Sequence, residues 1–167
     1  TSNAAVDVAM RAVLAKATPS DKRRILRRGA CLDPVVSKYT EGGRILEGNI
    51  PLAKRVAQAQ DRLRRLADRI AERNLSAAQL EVLFRERARY EGVLREFNDL
   101  VSKAAPAASS ESLVIGCTLA RMVLDKELRE KRFDVVVVDE ASMVSVAYAL
   151  AASMLAKSRI VYAGDPQ

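Results

Sequence analysis

Tryptophan is absent from this sequence, and aromatic residues make up only 4% of its 167 residues. We therefore expect few surfaces on which nucleic-acid bases could stack. No apolar run approaches the ~20 residues that a membrane-spanning helix needs, so no membrane partner is expected. The first ten residues, TSNAAVDVAM, have neither the basic start nor the apolar stretch of a secretory signal.

Cysteine and glycine-rich loops are also scarce. The two cysteines, Cys31 and Cys117, lie far apart and form no CxxC pair. This favours reduced thiols in the cytoplasm, or in the nucleus of a eukaryote, over a disulfide framework. The chain contains no GxxxxGK[ST] sequence and no other phosphate-binding loop. We therefore expect that the chain by itself neither hydrolyses ATP nor binds it tightly.

The charge is unbalanced towards the basic side, with 28 Lys and Arg against 21 Asp and Glu. A net charge of +7 favours a polyanionic partner such as nucleic acid. Much of the arginine alternates with Glu and Asp in one helical stretch, where a solvated helix face explains it equally well.

The apolar pattern predicts an α/β chain that is interrupted by two long helices. A helix is expected at residues 3–17, capped by Ser2 or Asn3, and a short strand at 25–28. Residues 30–50 are expected to form a loop with one helical turn at most. Residues 51–103 carry two amphipathic patterns separated at 73–76, which predicts an antiparallel helical hairpin. A flexible linker is expected at 104–110, AAPAASS.

After this linker, strands alternate with helices. Strands are expected at 113–117, 134–138 and 159–163, and helices at 119–130 and 144–156. Strands that are apolar on both faces and alternate with helices indicate a buried parallel sheet.

The segment FDVVVVDEASM, residues 133–143, is the strongest chemical signal. A buried strand delivers Asp139 and Glu140 to its carboxyl end, where open parallel sheets bind ligands. In a nucleotide-hydrolysing motor the first acid holds Mg²⁺ and the second orients and deprotonates the attacking water. The alternative is a strand that ends in an acidic cap for the next helix.

Three shorter segments add to this signal. In RIVYAGDPQ, residues 159–167, Gly164 allows a tight turn and a close backbone approach before Asp165. Ser2 and Asn3 in TSNAAVD, and Thr118 in VIGCTLARM, stand at helix starts where free N–H groups can bind a phosphate. Each segment taken alone is also explained as a simple turn or helix cap.

Together and in this order, the four segments resemble the 5′→3′ branch of the superfamily 1 helicases, related to the nonsense-mediated-decay RNA helicase. TSNAAVD is similar to motif Ia, VIGCT to the next nucleic-acid-contacting motif, VVVVDEAS to motif II and VYAGDPQ to the start of motif III. The segment ILRRG, residues 25–29, resembles the strand after motif Ia. The resemblance covers most of the chain outside the hairpin.

The resemblance implies a partial RecA-like P-loop NTPase domain, 1A, at residues 1–50 and 104–167. It also implies that residues 51–103 are the stalk of an inserted accessory subdomain, 1B. Asp139 would hold the Mg²⁺ of Mg²⁺–ATP, and Glu140 would be the general base. Gly164 and Asp165 would belong to the motif that couples the nucleotide to movement.

Ser2, Asn3 and Thr118 would contact the backbone of single-stranded DNA or RNA, and the expected activity is ATP-dependent unwinding or translocation. The phosphate-sensing glutamine of motif III would follow Gln167, so Gln167 does not take that role. The ATP-binding loop and the second motor domain have no counterpart here, and the abrupt ends at Thr1 and Gln167 fit a piece of a larger protein. Two alternatives remain: a hairpin that binds a protein partner on an α/β scaffold, and a related motor that translocates without unwinding.

Overall fold

A computed structural model of the chain describes residues 2–72 and 74–165. It divides into two compact units, one formed by the residues up to Thr40 together with those from Pro106 onward, and one formed by Glu41–Ala105. The predictions that fall on Thr1, Arg73, Pro166 and Gln167 lie outside the described residues. None of the helices in the described ranges is both long enough and apolar enough to cross a bilayer.

The first unit contains helices and short parallel strands, and the Glu41–Ala105 unit is helical in its described residues, so the expected mixed α/β class is confirmed. The helices are α1 (Asn3–Lys16), α2 (Pro19–Lys22), α3 (Glu41–Gly48), α4 (Ile50–Ile70), α5 (Ala77–Glu111), α6 (Leu119–Leu124), α7 (Lys126–Glu130) and α8 (Val146–Ser153). The strands are β1 (Ile25–Arg27), β2 (Val114–Gly116), β3 (Phe133–Val138) and β4 (Ala156–Tyr162). Short 3-10 helices cover Val36–Tyr39 and Ala141–Met143.

The strands pair in parallel, as expected, but among the described residues they form two separate two-stranded sheets. In the first, β1 pairs with β2 so that Arg27 lies opposite Gly116. In the second, β3 pairs with β4 so that Val138 lies opposite Tyr162. Each sheet has its own apolar cluster, around Met10 and Ile25 in one case and around Met122 and Val138 in the other.

The expectation that the strands are buried on both faces is wrong for β3. Val136 and Val138 pack towards α6 and α8 in the second apolar cluster. The side chains of Val135 and Val137 are 50% and 65% exposed. The reason is that, within the described residues, these helices cover only one face of the β3–β4 sheet.

Two local predictions also need correction. The single helix expected at 119–130 is broken at Asp125, whose side chain accepts hydrogen bonds from the N–H groups of Glu127 and Leu128 and so caps α7. The loop expected over 30–50 contains the 3-10 helix and α3.

The predicted linker at 104–110 is wrong, because α5 continues through Pro106 to Glu111. Arg24 Nε donates to the Glu111 carbonyl at 3.4 Å, and Lys131 Nζ donates to the Ser109 carbonyl. Arg28 donates to the Ser109 hydroxyl. Cations that satisfy the last carbonyls of a helix also interact favourably with its dipole. These tertiary contacts outweigh the local preference of proline and serine for a linker.

The Glu41–Ala105 unit contains the expected helical hairpin. Asn49 caps α4 by accepting a hydrogen bond from the Leu52 N–H at 3.0 Å. The apolar face of α4 is buried at Leu52, Val56, Ala59 and Leu66, and α5 buries Leu83. Arg55 Nη2, near the start of α4, lies 3.1 Å from Glu96 Oε2, in the second half of α5, as an antiparallel hairpin requires. The assignment of 51–103 as an inserted domain of its own stays a prediction.

Candidate functional site

The two predicted acids lie at the carboxyl end of β3. Asp139 and Glu140 follow Val138 directly, and both side chains are exposed. One carboxylate oxygen of Asp139 accepts a hydrogen bond from the Glu140 N–H at 3.0 Å. The strand thus ends in a pair of adjacent carboxylates that solvent and ligands can reach.

Glu140 has an unusual backbone conformation, with φ 55° and ψ 38°, in the left-handed helical region. It is the one non-glycine residue with positive φ in the described ranges. This conformation costs an L-residue with a Cβ about 1–2 kcal/mol. It turns the chain sharply from β3 into the 3-10 helix at Ala141–Met143. Backbone strain of this kind is concentrated at functional sites.

Gly164 packs directly against the turn after the acids. The Ala163 N–H donates to the Val138 carbonyl at 2.9 Å, and the Ala141 N–H donates to the Ala163 carbonyl at 2.8 Å. A Cβ on Gly164 would lie 3.0 Å from the backbone nitrogens of both Ala141 and Ser142. Glycine is therefore the residue that fits, and the Gly164–Asp165 segment lies beside the Asp139–Glu140 turn at one edge of the β3–β4 sheet.

Two exposed acids give a cation few protein ligands at this strand end. Within residues 2–72 and 74–165, no group of three or more His, Cys, Asp or Glu side chains is placed to hold a metal ion. Protein-bound Mg²⁺ commonly takes one or two carboxylates and completes its shell with water and substrate phosphates. The exposed carboxylate of Asp139 fits this type of Mg²⁺–nucleotide site.

Each of the predicted nucleic-acid contacts has a structural role at a helix start. The Ser2 hydroxyl caps α1 by accepting from the Ala5 N–H at 3.2 Å. The Thr118 hydroxyl caps α6 by accepting from the Arg121 N–H at 3.2 Å. The side-chain carbonyl of Asn3 accepts a hydrogen bond from Arg27 Nη2 at 3.1 Å.

Asn3 and Thr118 lie at the same edge of the β1–β2 sheet. Asn3 is bonded to Arg27, which ends β1, and Thr118 comes two residues after Gly116, which ends β2. The Arg28 N–H donates to the Gly116 carbonyl at 2.8 Å and extends the pairing at this edge. The candidate phosphate contacts are therefore at the carboxyl ends of β1 and β2, and the acids are at the carboxyl ends of β3 and β4.

A buried ion pair behind this edge was missed by the sequence analysis. Asp7 Oδ1 lies 2.7 Å from Arg27 Nε, and the second Asp7 oxygen accepts hydrogen bonds from the Leu32 and Asp33 N–H groups. Arg27 also donates to the Ala30 carbonyl at 2.6 Å. Burial alone would raise the pKa of Asp7, but the Leu32 N–H and the Arg27 guanidinium hold that pKa below its ordinary value. The available signal was an arginine inside the apolar strand segment.

A second charged network that sequence reasoning missed surrounds Arg28. Its Nε lies 2.9 Å from Asp125 Oδ2, and its Nη1 lies 2.7 Å from Glu127 Oε2. Arg121 Nε lies 3.1 Å from the same Asp125 oxygen. The network joins the end of β1 to the start of α7, so it holds the helix that follows Thr118 in place.

Comparison with known sequences gives one family. The chain matches, over residues 1–167, the family described as an AAA domain. No curated protein matches the chain.

Proposed function

The chain belongs to this AAA domain family, and from that membership we propose that it is part of the first motor domain of a superfamily 1 helicase. The family consists of helicase-type ATPase domains, which bind nucleotide and act on nucleic acid. Within it, the 5′→3′ subfamily related to the nonsense-mediated-decay helicase is our more specific proposal. The activity proposed for the whole protein is ATP-dependent movement on single-stranded DNA or RNA.

One observation supports this proposal most strongly: the backbone ladder that joins the acidic turn to Gly164. Through Ala163, the segment that begins motif III is hydrogen-bonded to the chain on both sides of Asp139 and Glu140. A displacement of Asp165 would therefore be transmitted to the acids through two backbone hydrogen bonds. A motor needs such a connection between its nucleotide site and its moving parts.

The proposed roles follow from this geometry. Asp139 would hold Mg²⁺ through its exposed carboxylate, and the ion would neutralise charge on the nucleotide phosphates. Glu140, exposed in the left-handed turn after the strand, would accept a proton from the attacking water. Gly164 permits the close approach of the Asp165 segment to this turn.

Nucleic acid is the proposed partner at the other sheet edge. Ser2, Asn3 and Thr118 stand at the N-termini of α1 and α6, where hydroxyl, amide and backbone donors suit phosphate oxygens. Contacts of this kind position a strand without reading its sequence. We also propose a cytosolic or nuclear location, where the thiols of Cys31 and Cys117 stay reduced.

The proposed function is tested by Glu140→Gln in a longer protein that joins this chain to an ATP-binding loop. We expect ATP turnover to fall by a factor of about 10² or more while nucleotide binding persists, because the amide keeps the shape but cannot accept the proton. Glu72→Gln, an exposed residue outside the site, is the matched control and should leave turnover unchanged. Near-normal turnover in Glu140→Gln would refute the assignment of the base.

The chain by itself gives a second test. Because it lacks a phosphate loop, no backbone nest and no lysine are available to hold the β- and γ-phosphates. We expect no ATP binding at micromolar concentrations in calorimetry, with or without Mg²⁺. Micromolar affinity would mean that the nucleotide is held by residues other than those proposed.

A further inference from the structure

The basic residues of α4 are not spread evenly over its exposed surface. Five of its six exposed cations, which we call the α4 stripe, are Lys54, Arg55, Arg62, Arg65 and Arg69; the sixth, Arg64, lies outside the stripe. At 3.6 residues per turn they fall within an arc of about 100° around the helix axis. The acids of α4, Asp61 and Asp68, lie just outside this arc, along the edge formed by Lys54 and Arg65, and Asp61 pairs with Arg65. No acid of α4 lies within the arc, so the arc itself carries only positive charge.

The orientation of the stripe is fixed by the apolar face of the helix. Leu52, Val56, Ala59 and Leu66 are buried, with 6% or less of each residue exposed. These residues occupy the sector of α4 next to the stripe, beyond Arg55, so the stripe cannot turn inwards without exposing them. Arg55, at the margin of the stripe, is the member that reaches α5, through Glu96.

Local ion pairs leave most of this charge uncompensated. Arg55 pairs with Glu96 and Arg65 pairs with Asp61, but all four side chains are 48% exposed or more. Exposed pairs of this kind contribute little and are screened by salt. Lys54, Arg62 and Arg69 have no ion-pair partner among residues 2–72 and 74–165.

The charged residues of α5, the other helix of the hairpin, have the pattern expected of a solvated helix surface. On α5, Arg85 pairs with Glu81 at 2.5 Å and Arg87 pairs with Glu91 at 2.7 Å, four residues apart in each case. Acids and bases thus alternate around α5, which is sufficient for solubility. On α4 one such pair, Asp61–Arg65, lies at the edge of the stripe, and the five stripe cations share an arc that contains no acid. Solubility alone does not require this arrangement.

We infer that the α4 stripe binds the phosphate backbone of a nucleic-acid duplex. From Lys54 to Arg69 the stripe extends about 22 Å at 1.5 Å per residue. One duplex strand presents about six phosphates over that length, at 3.4 Å each. The choice of nucleic acid as the polyanion rests on the proposed function.

The composition of α4 favours a duplex over a single strand. The helix has no aromatic residue on any face, so it offers nothing on which unpaired bases could stack. Lys and Arg without aromatic neighbours bind phosphates by charge and are indifferent to base sequence. The stripe therefore holds double-stranded nucleic acid, whereas single-strand contacts belong to the residues at the β1–β2 edge.

Two triple variants of the full 167-residue chain test the inference. The stripe variant carries Lys54→Gln, Arg62→Gln and Arg69→Gln, and the control carries Arg85→Gln, Arg89→Gln and Arg95→Gln on α5. Both lower the net charge by three at exposed positions. Binding of a short fluorescent duplex and of the matching single strand is measured by polarisation over a series of salt concentrations. The unfolding midpoint of each variant verifies that it folds.

We expect the stripe variant to bind the duplex about tenfold more weakly or worse at low salt, with the slope of log affinity against log salt reduced by about 2 to 3. The control should keep the wild-type slope. A variant with Arg62→Lys and Arg69→Lys should bind as the wild type does, since point charge is sufficient for phosphate.

Four outcomes would overturn the inference. The first is an equal loss of duplex affinity in the stripe variant and the control, which would show that only the net charge of the chain matters. The second is a stripe variant that loses affinity for the single strand but keeps its affinity for the duplex. The third is competition by polyglutamate as strong as that by duplex, which would favour an acidic protein partner. A wild-type chain that binds single strands but no duplex would overturn this inference and leave the proposed function standing. Unchanged ATP turnover in Glu140→Gln would instead contradict the proposed function.

Discussion

Asp7 Oδ1 lies 2.7 Å from Arg27 Nε, and the two side chains are 4% and 0% exposed. The pair connects the first turns of α1 to the end of β1. Arg27 continues the connection to Asn3, which stands one residue after the Ser2 cap. The position of the proposed motif Ia residues relative to the β1–β2 edge therefore depends on a buried charge pair.

Asp7→Asn is expected to lower the free energy of unfolding by about 3–5 kcal/mol, because it leaves the Arg27 charge buried without a counter-charge. Urea denaturation at neutral pH measures the difference. Asp99→Asn, an exposed change on α5, should lower it by less than about 0.5 kcal/mol. Equal effects of the two substitutions would show that the buried pair contributes nothing specific.

The same pair predicts how stability depends on pH. The folded-state pKa of Asp7 is lower than that of the unfolded chain, so its contribution is complete above the unfolded value of about 3.9 and is lost as pH falls towards the folded value. The free energy of unfolding of the wild type should therefore fall more steeply below about pH 4 than that of Asp7→Asn. Parallel pH curves for the two proteins would contradict this assignment.

Gly116→Ala is expected to destabilise the chain by about 1–3 kcal/mol through overpacking. The new Cβ would lie 2.2 Å from Met10 Sδ and 2.6 Å from Met10 Cγ, and Met10 is only 3% exposed. Adding Met10→Ala should recover part of this loss, so that the two effects are not additive. Gly92→Ala on α5, where a Cβ meets no atom within 4 Å, should instead raise stability by about 0.5–1 kcal/mol.

Glu140→Gly should leave the free energy of unfolding unchanged or raise it, because glycine adopts the left-handed conformation without the cost of about 1–2 kcal/mol. Ala141→Gly, one residue later in the 3-10 helix, should lower it by about 0.5–1 kcal/mol. Thermal or urea unfolding of both variants measures the contrast. A Glu140→Gly protein as destabilised as Ala141→Gly would mean that the backbone at Glu140 is not strained.

Cys117 is expected to react slowly with iodoacetamide in the folded chain. Burial raises the pKa of its thiol to about 11, so little of the reactive thiolate is present at neutral pH. In a Cys31→Ser background the labelling rate at pH 8 should increase strongly when urea unfolds the chain. A rate that is the same with and without urea would show that Cys117 is accessible and ionised in the native state.

The elements that depend on neighbouring residues could be predicted from the sequence. The Ser2 cap, the 3.6-residue period of α1 and the two hairpin helices, and the valine run of β3 ending at Asp139 and Glu140 are all local patterns, and the structure contains each of them. The candidate acids could be identified because the residues that form a strand end are adjacent in the chain.

The buried ion pair, the end of α5 and the two required glycines depend on the tertiary structure, because each of them joins residues that are far apart in the sequence. Asp7 and Arg27 are 20 residues apart in the sequence, and Arg28 and Ser109, near the end of α5, are 81 residues apart. No local sequence pattern could predict either contact. The contacts of Ser109 and Glu111 stabilise as helix the segment around Pro106 that was expected to be a linker. The need for glycine at 116 likewise comes from Met10, and that at 164 from the Ala141–Ser142 backbone. Steric exclusion between distant segments sets these positions, and only the folded chain brings those segments together.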